Sequence, residues 1–282
     1  MMHPQSYKIT LDSYLLKNFL RICQKDKYKF KSNKIYGINF LFLLSVCFLF
    51  PLTLQSQQIR EITSYQEFPW QELGAKDIDP RIFMFDIDYT VTRTDILRTA
   101  WTAITSQPYE SFTQLWSYLS TGEKKGVRDL GIRYEKSSLI EESIPYMIDS
   151  IIENGHIVWN FTNVSTGKLY DTTYEERMAY KLNTVNIKRS PILSDEGEVE
   201  RVDFPAYKGA YPVFYKGILL NAKRNKTEIF EHSFLPWLQS NPSYQSISHI
   251  LYFDDDPRHV GRIGEICKCY KFNYDGFICR FT

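Results

Sequence analysis

Cysteine is scarce in this 282-residue chain. Its five cysteines are Cys23, Cys47, Cys267, Cys269 and Cys279. None forms a metal-ligand pair supported by a nearby histidine, which argues against a zinc-built fold. The last three leave two readings: a disulfide from Cys279 to Cys267 or Cys269 in an oxidising compartment, or free thiols packed in part into the core. A surplus of charge of one sign is also missing, with a net charge of +1. From residue 57 onward there are 26 Lys/Arg against 31 Asp/Glu and no basic stripe, so nucleic acid is not an expected partner. Residues 35–59 carry no charge at all and contain the apolar run Phe40–Phe50. Eight Lys/Arg lie before it, against only Asp12 and Asp26. A basic block ahead of a short apolar run predicts a secretory signal or an N-terminal membrane anchor, basic side in. The N-terminal segment therefore meets the membrane, and the rest is exported (periplasmic or extracellular) or anchored by it. Cleavage is not strongly marked, because Leu54-Gln55-Ser56 is no Ala-x-Ala and Val46 spoils a lipobox at Cys47. Disorder is excluded by 43% hydrophobic and 16% aromatic residues, enough for a core.

What is present centres on Arg81-Ile-Phe-Met-Phe-Asp86-Ile-Asp88-Tyr-Thr90-Val91. Four apolar side chains run into two carboxylates, the pattern of a buried parallel strand with Asp86 at its carboxyl end. Asp86 and Asp88 leave an extended chain on one side and repel unless a cation lies between them. A hard divalent ion such as Mg2+ suits such oxygens. An EF-hand is excluded, because Val91 stands where that loop needs glycine and a strand precedes it.

The rest of the chain alternates helices and strands. Thr94-Asp95 is an N-cap for a helix with Leu97, Trp101 and Ile104. A second helix carries Phe112, Leu115, Trp116 and Leu119 after Pro108. Gly122, Gly126 and Gly131 predict a loop whose Lys124, Lys125, Arg128 and Arg133 leave two readings, contact with an anionic substrate or, the favoured one, a solvated face. Helix 144–153, capped by Ser143 and stopped by Asn154-Gly155, leads into a strand over 156–161 that ends in Thr162-Asn163. Then come a helix over 173–185, a loop-rich stretch over 186–212 and one strand over Val213–Leu220. A basic turn with Lys223, Arg224 and Lys226 follows, then a helix over Thr227–Leu238 that Pro236 can kink. A strand over 247–253 closes on Asp254-Asp255-Asp256, and helix 257–270 and strand 276–281 complete the pattern. Such alternation gives an α/β fold with a parallel sheet, helices on both faces, and strand-end loops converging on one crevice.

Four of these features together resemble the haloacid dehalogenase (HAD)-like superfamily. They are Asp86-x-Asp88-x-Thr90-Val91, a strand closed by Thr162, a lysine ahead of a helix, and a strand closed by Asp254-Asp255. The lysine is best matched by Lys226, with Lys223 and Arg224 as rivals. Asn160 departs from a purely apolar second strand. The resemblance covers about residues 80–282 and is closest to an exported bacterial branch. It implies a Rossmannoid three-layer sandwich: core 80–94 and 139–282 and a small helical cap over 95–138. Ahead of it the residue pattern itself predicts a basic segment over 1–37, a signal or anchor over 38–56 and a linker over 57–79. It implies Mg2+ held by Asp86, the Asp88 carbonyl and one or both of Asp254 and Asp255. Asp86 would be the nucleophile and Asp88 the acid and base. Thr162, Asn163 and Lys226 would bind the phosphoryl group of a small phosphorylated substrate. An aspartate at position 88 points to a phosphatase rather than a dehalogenase or an ion pump. Two alternatives stay open: a non-catalytic HAD-like module that holds a phosphorylated ligand or partner, and an interaction protein that displays Trp101 and Trp116.

Overall fold

The computed structural model describes residues 57–70, 74–76, 78–93 and 116–281. The expected basic segment, the signal or anchor and the helices over 95–115 lie outside them. Among the described residues no helix is long and apolar enough to cross a membrane.

Eight strands build one sheet: β1 (Gln57–Ile62), β2 (Ile82–Phe85), β3 (Ile157–Thr162), β4 (Arg201–Asp203), β5 (Val213–Tyr215), β6 (Ile218–Leu220), β7 (His249–Asp254) and β8 (Asn273–Cys279). Their order is β1-β8-β7-β2-β3-β6-β5-β4. The pairs from β1 to β6 are parallel, and β6-β5-β4 is antiparallel. The helices are α1 (Thr121–Tyr134), α2 (Ile144–Glu153), α3 (Tyr174–Thr184), α4 (Lys226–Ile229), α5 (Leu235–Ser240) and α6 (Pro257–Cys269). This is a mixed α/β fold with a mostly parallel central sheet.

Strand alternation divides the core into two layers. Phe83, Phe85, Val158, Leu251, Phe253 and Phe277 pack with Ile144, Ile148 and Ile151 of α2 and Met178 and Leu182 of α3. On the other face Ile82, Met84, Trp159 and Tyr252 pack with Leu235 and Leu238 of α5 and Val260, Ile263 and Ile266 of α6. All four residues of β2 are buried because both its faces are covered. Cys279 belongs to the first layer and Cys267 to the second. The three C-terminal cysteines are free thiols, so the disulfide alternative does not form.

Four expectations change. The stretch expected as a linker opens with β1, an edge strand paired in register with β8, Ile59 opposite Gly276. The glycine-punctuated loop is instead α1. A Ser120–Glu123 capping box starts it, and a Lys125–Asp129 pair at 2.5 Å supports one face against the helix cost of glycine. Val213–Leu220 is a hairpin rather than one strand. Lys216 and Gly217 both take positive φ, +46° and +76°, and a β-carbon at Gly217 would lie 2.9 Å from Arg189 Cβ. The Pro236 kink is a π turn over Phe230–Phe234, since proline offers no N–H to the carbonyl four residues earlier. Ser143 stands at the N-cap of α2 but makes no side-chain cap bond.

Just before β3, His156 is buried. Its Nδ1 accepts the Arg81 N–H at 3.4 Å, and Nε2 lies 3.0 Å from the Ala75 carbonyl. Burial lowers its pKa more than the Ala75 carbonyl raises it, with the Arg81 charge adding to the fall. A proton added at Nδ1 would face a donor. The stability this histidine contributes is complete above about pH 6.5, its unfolded value, and is lost as pH falls through the lower folded value. Urea unfolding at about pH 7.5 and about pH 5 should show a drop that is smaller in His156→Gln. An equal drop would exclude this role.

Candidate active site

The chain leaves β2 toward β3 and β6 on one side and returns to β7 and β8 on the other, so the crevice opens at the carboxyl end of β2. Asp86 is the first residue past β2, and its N–H donates to the Phe253 carbonyl of β7 at 2.8 Å. The chain then turns back sharply. Tyr89 takes a φ of +59°, and Thr92 N donates to the Ile87 carbonyl at 2.9 Å. The insertion leaves and returns through one antiparallel pairing, Thr92 with Leu139 and Arg93 with Ser138.

Thr162 closes β3 and is buried, whereas Asn163 beyond it is exposed. The two loops that flank the site are tied together. Asn221 N donates to the Thr162 carbonyl at 3.3 Å and Lys223 N to the Val164 carbonyl at 3.2 Å. Ala222 and Lys223 take left-handed φ values of +54° and +60°, a costly conformation for residues other than glycine. That turn directs Lys226 inward. Its Nζ lies 2.5 Å from Asp86 Oδ1 and 2.8 Å from Asp254 Oδ2, with the lysine side chain 2% exposed. Of the three basic residues, Lys226 is the one buried between the carboxylates. Lys223 and Arg224 are exposed.

Asp254 ends β7. Its Oδ2 also accepts from the Tyr252 hydroxyl at 2.5 Å, and its Oδ1 accepts from Asp256 N at 2.8 Å. His259 Nδ1 is 3.3 Å from Asp254 Oδ2 but not aligned for a hydrogen bond. Burial works against charge on Asp254, yet Lys226, His259 and Tyr252 outweigh it and hold the carboxyl below its usual range. Asp86 fares otherwise. Burial, with Asp254 and Asp88 nearby, raises it to about 8 against the pull of Lys226. Burial and Asp254 also raise Asp255.

These three carboxylates each offer an oxygen, all within 4.8 Å of one another. Three carboxylates gather around one lysine, which pairs with only two of them, so acids outnumber bases in the set. Hard oxygen donors around a deficit of positive charge fit a divalent ion such as Mg2+. The Asp88 side chain is not part of the cluster.

Asp88 has a different partner. Lys181 of α3 places Nζ 2.5 Å from Asp88 Oδ1 and 2.6 Å from Oε1 of Glu135, the residue that follows α1. Lys181 and Glu135 side chains are each 2% exposed. Burial lowers the Lys181 pKa, but Asp88 and Glu135 outweigh it and raise the value. Sequence reasoning missed both residues. The available signal was a lysine at a core position of the stripe Tyr174, Met178, Leu182. Removing one member of a buried ion pair costs about 3–5 kcal/mol, so Lys181→Met should be destabilised by that order in chemical denaturation. Glu135→Gln in the same chain should recover part of it. No recovery would mean that Lys181 acts by packing alone.

Asn160 sits in β3 beside β2, fully buried, and its Nδ2 donates to the Phe85 carbonyl at 3.3 Å. The polar residue that departed from the expected apolar strand therefore holds the peptide that precedes Asp86.

No curated protein matches the chain. Residues 57–280, which run from β1 through β8 and carry Asp86, Thr162, Lys226 and Asp254, match the family described as "Protein of unknown function (DUF2608)", and the chain belongs to that family.

Proposed function

We propose that this protein is an Mg2+-dependent phosphomonoesterase with a HAD-like core, working outside the cytoplasm or anchored at its membrane. The observation that carries the reading is Lys226 bridging Asp86 and Asp254 at 2.5 and 2.8 Å, at the carboxyl ends of adjacent strands. The strand order, with β2 between β7 and β3, supports it.

Asp86, Asp254 and Asp255 would hold the ion, which when bound would offset repulsion between an anionic nucleophile and a phosphate. An Asp86 carboxylate oxygen attacks phosphorus, the ester P–O bond breaks, and the leaving oxygen takes a proton from Asp88. Water then attacks phosphorus, gives its proton to Asp88, and frees Asp86 and inorganic phosphate. Thr162 and Asn163 bind phosphoryl oxygens. Lys226 offsets charge on the oxygens as it builds. The test is hydrolysis of an aryl phosphate by the full chain with Mg2+ and with EDTA. Turnover that needs the metal is expected; equal rates under both conditions would end the proposal.

A second reading, a non-catalytic module that binds a phosphorylated ligand, draws on Asp88. Its Oδ1 is engaged by Lys181 Nζ at 2.5 Å, an ion pair apart from the carboxylate cluster. Metal-dependent binding of a phosphate ester without product release would favour it.

A further inference from the structure

Beside the carboxylate cluster lies a cavity of about 450 Å³, within the range of small-molecule sites. Lys223, Arg224, Lys226, Arg258 and Arg262 line it, and among the described residues no acidic one does. Asn163 and Lys226, assigned above to the phosphoryl group, also form part of its wall. The cations come from two places, the turn before α4 and the first turns of α6.

Their charges are unequally compensated. Lys226 is shared by Asp86 and Asp254 behind the wall. Arg258 is paired with Asp256 at 2.6 Å and Arg262 with Glu265 at 2.7 Å, both arginines well exposed. Among the described residues the Arg224 guanidinium donates to a neutral acceptor, the Lys208 carbonyl. Lys223 has no ion-pair partner among the described residues, and partial desolvation together with Arg128 and Lys125 of α1 depresses its pKa, against the pull of Asp129. A left-handed backbone at Ala222 and Lys223 holds the turn where these like charges gather. Like positive charges gather there, whereas the neighbouring cluster has more acids than its one lysine.

We infer that the cavity lined by Lys223, Arg224, Arg258 and Arg262 receives a second phosphoryl group, so that the substrate class is a phosphomonoester whose leaving group carries another phosphate. The inference rests on the proposed phosphatase site, because Asn163 and Lys226 join the two. Arginine forks match phosphate oxygens two at a time, which favours phosphate over a single carboxylate. Arg258 and Arg262 are surface-paired, and such pairs are weak enough to exchange partners.

The probe is a series of α,ω-alkanediyl bisphosphates of graded chain length, compared with alkyl monophosphates. Binding is measured by calorimetry to the full chain carrying Asp86→Asn, with Mg2+ at near-physiological ionic strength, where unspecific attraction is screened. Expected is about tenfold or greater preference for the bisphosphate, with a best chain length. In the same background Arg224→Ala with Arg262→Ala should reduce the preference to roughly threefold or less. Thermal melting checks that these variants fold. Equal affinity for mono- and bisphosphates, in a protein whose wild type hydrolyses aryl phosphate, overturns the inference and leaves the phosphatase reading standing. Bisphosphate preference that depends on the two arginines, without aryl phosphate turnover, retains the cavity and overturns the phosphatase. Absence of both turnover and binding overturns both.

Discussion

Asp86→Asn should lower metal-dependent turnover of an aryl phosphate by about 10⁴-fold or more, the scale on which enzymes fail when their nucleophile is removed. The amide has nearly the carboxylate's shape but does not attack phosphorus, and its oxygen is a poorer ligand for a hard cation. The fold should survive. Lys226 keeps Asp254 as a partner at 2.8 Å, and one source of repulsion in the buried cluster disappears. Melting within a few degrees of wild type, with an unchanged aromatic circular dichroism signal, checks this; about 2–4 °C corresponds to 1 kcal/mol in a domain of this size. Activity that persists in the folded variant would remove Asp86 from the chemistry and with it the proposed mechanism.

Lys226→Met has the second largest expected effect, on stability as well as on rate. The lysine side chain is 2% exposed between carboxylates that are 10% and 1% exposed. Burial lowers its pKa, but Asp86 and Asp254 outweigh this and raise it to about 12, so it stays charged. Methionine leaves two buried carboxylates without a cation, at a cost of about 3–5 kcal/mol. Loss of its charge from the transition state should reduce turnover by about 10²–10³-fold. A divalent ion that binds the folded state stabilises it by mass action, and the more the cluster lacks charge the larger the rescue. Urea unfolding with and without Mg2+ should therefore show a larger metal-induced gain in the variant than in wild type. A variant as stable as wild type in EDTA would mean that the carboxylates are not charged together.

The two substitutions answer different questions. Asp86 tests whether the cluster does chemistry, and Lys226 tests whether it is an electrostatic unit that needs a cation. The cavity beside them concerns which ester is taken and is tested by affinity ratios rather than by loss of activity.

Much of this was legible before any coordinates. The run Ile82-Phe83-Met84-Phe85 predicted β2 because covering both faces of a central parallel strand demands apolar residues at every position. Asp86 and Asp254 were found because an acid that ends such a run lies where strand ends converge. Lys226 stood out among three basic residues only as the one nearest a helix start. The bundle of contacts that selects it comes from β2 and β7, far along the chain.

Local pattern failed where a local rule met a distant partner. Residues 57–62 looked like a polar lead-in because an edge strand needs few apolar side chains, and its place in the sheet depends on β8, formed by the other end of the domain. Three glycines suggested a loop at α1, whereas a capping box and an ion pair four residues apart keep the helix. The hairpin at Lys216-Gly217 hid inside one apolar stretch because only backbone handedness separates a turn from a strand there.

By itself the sequence determined the alternation of elements, the acids at strand ends and the buried core, since each follows from the order of apolar and polar residues over a few positions. The tertiary structure alone decided that Lys181 joins Asp88 to Glu135, 93 and 46 residues away, and that five cations from two helix starts face one cavity. Those are contacts between charged groups whose attraction or repulsion depends on distance and burial, and neither is written in the order of residues.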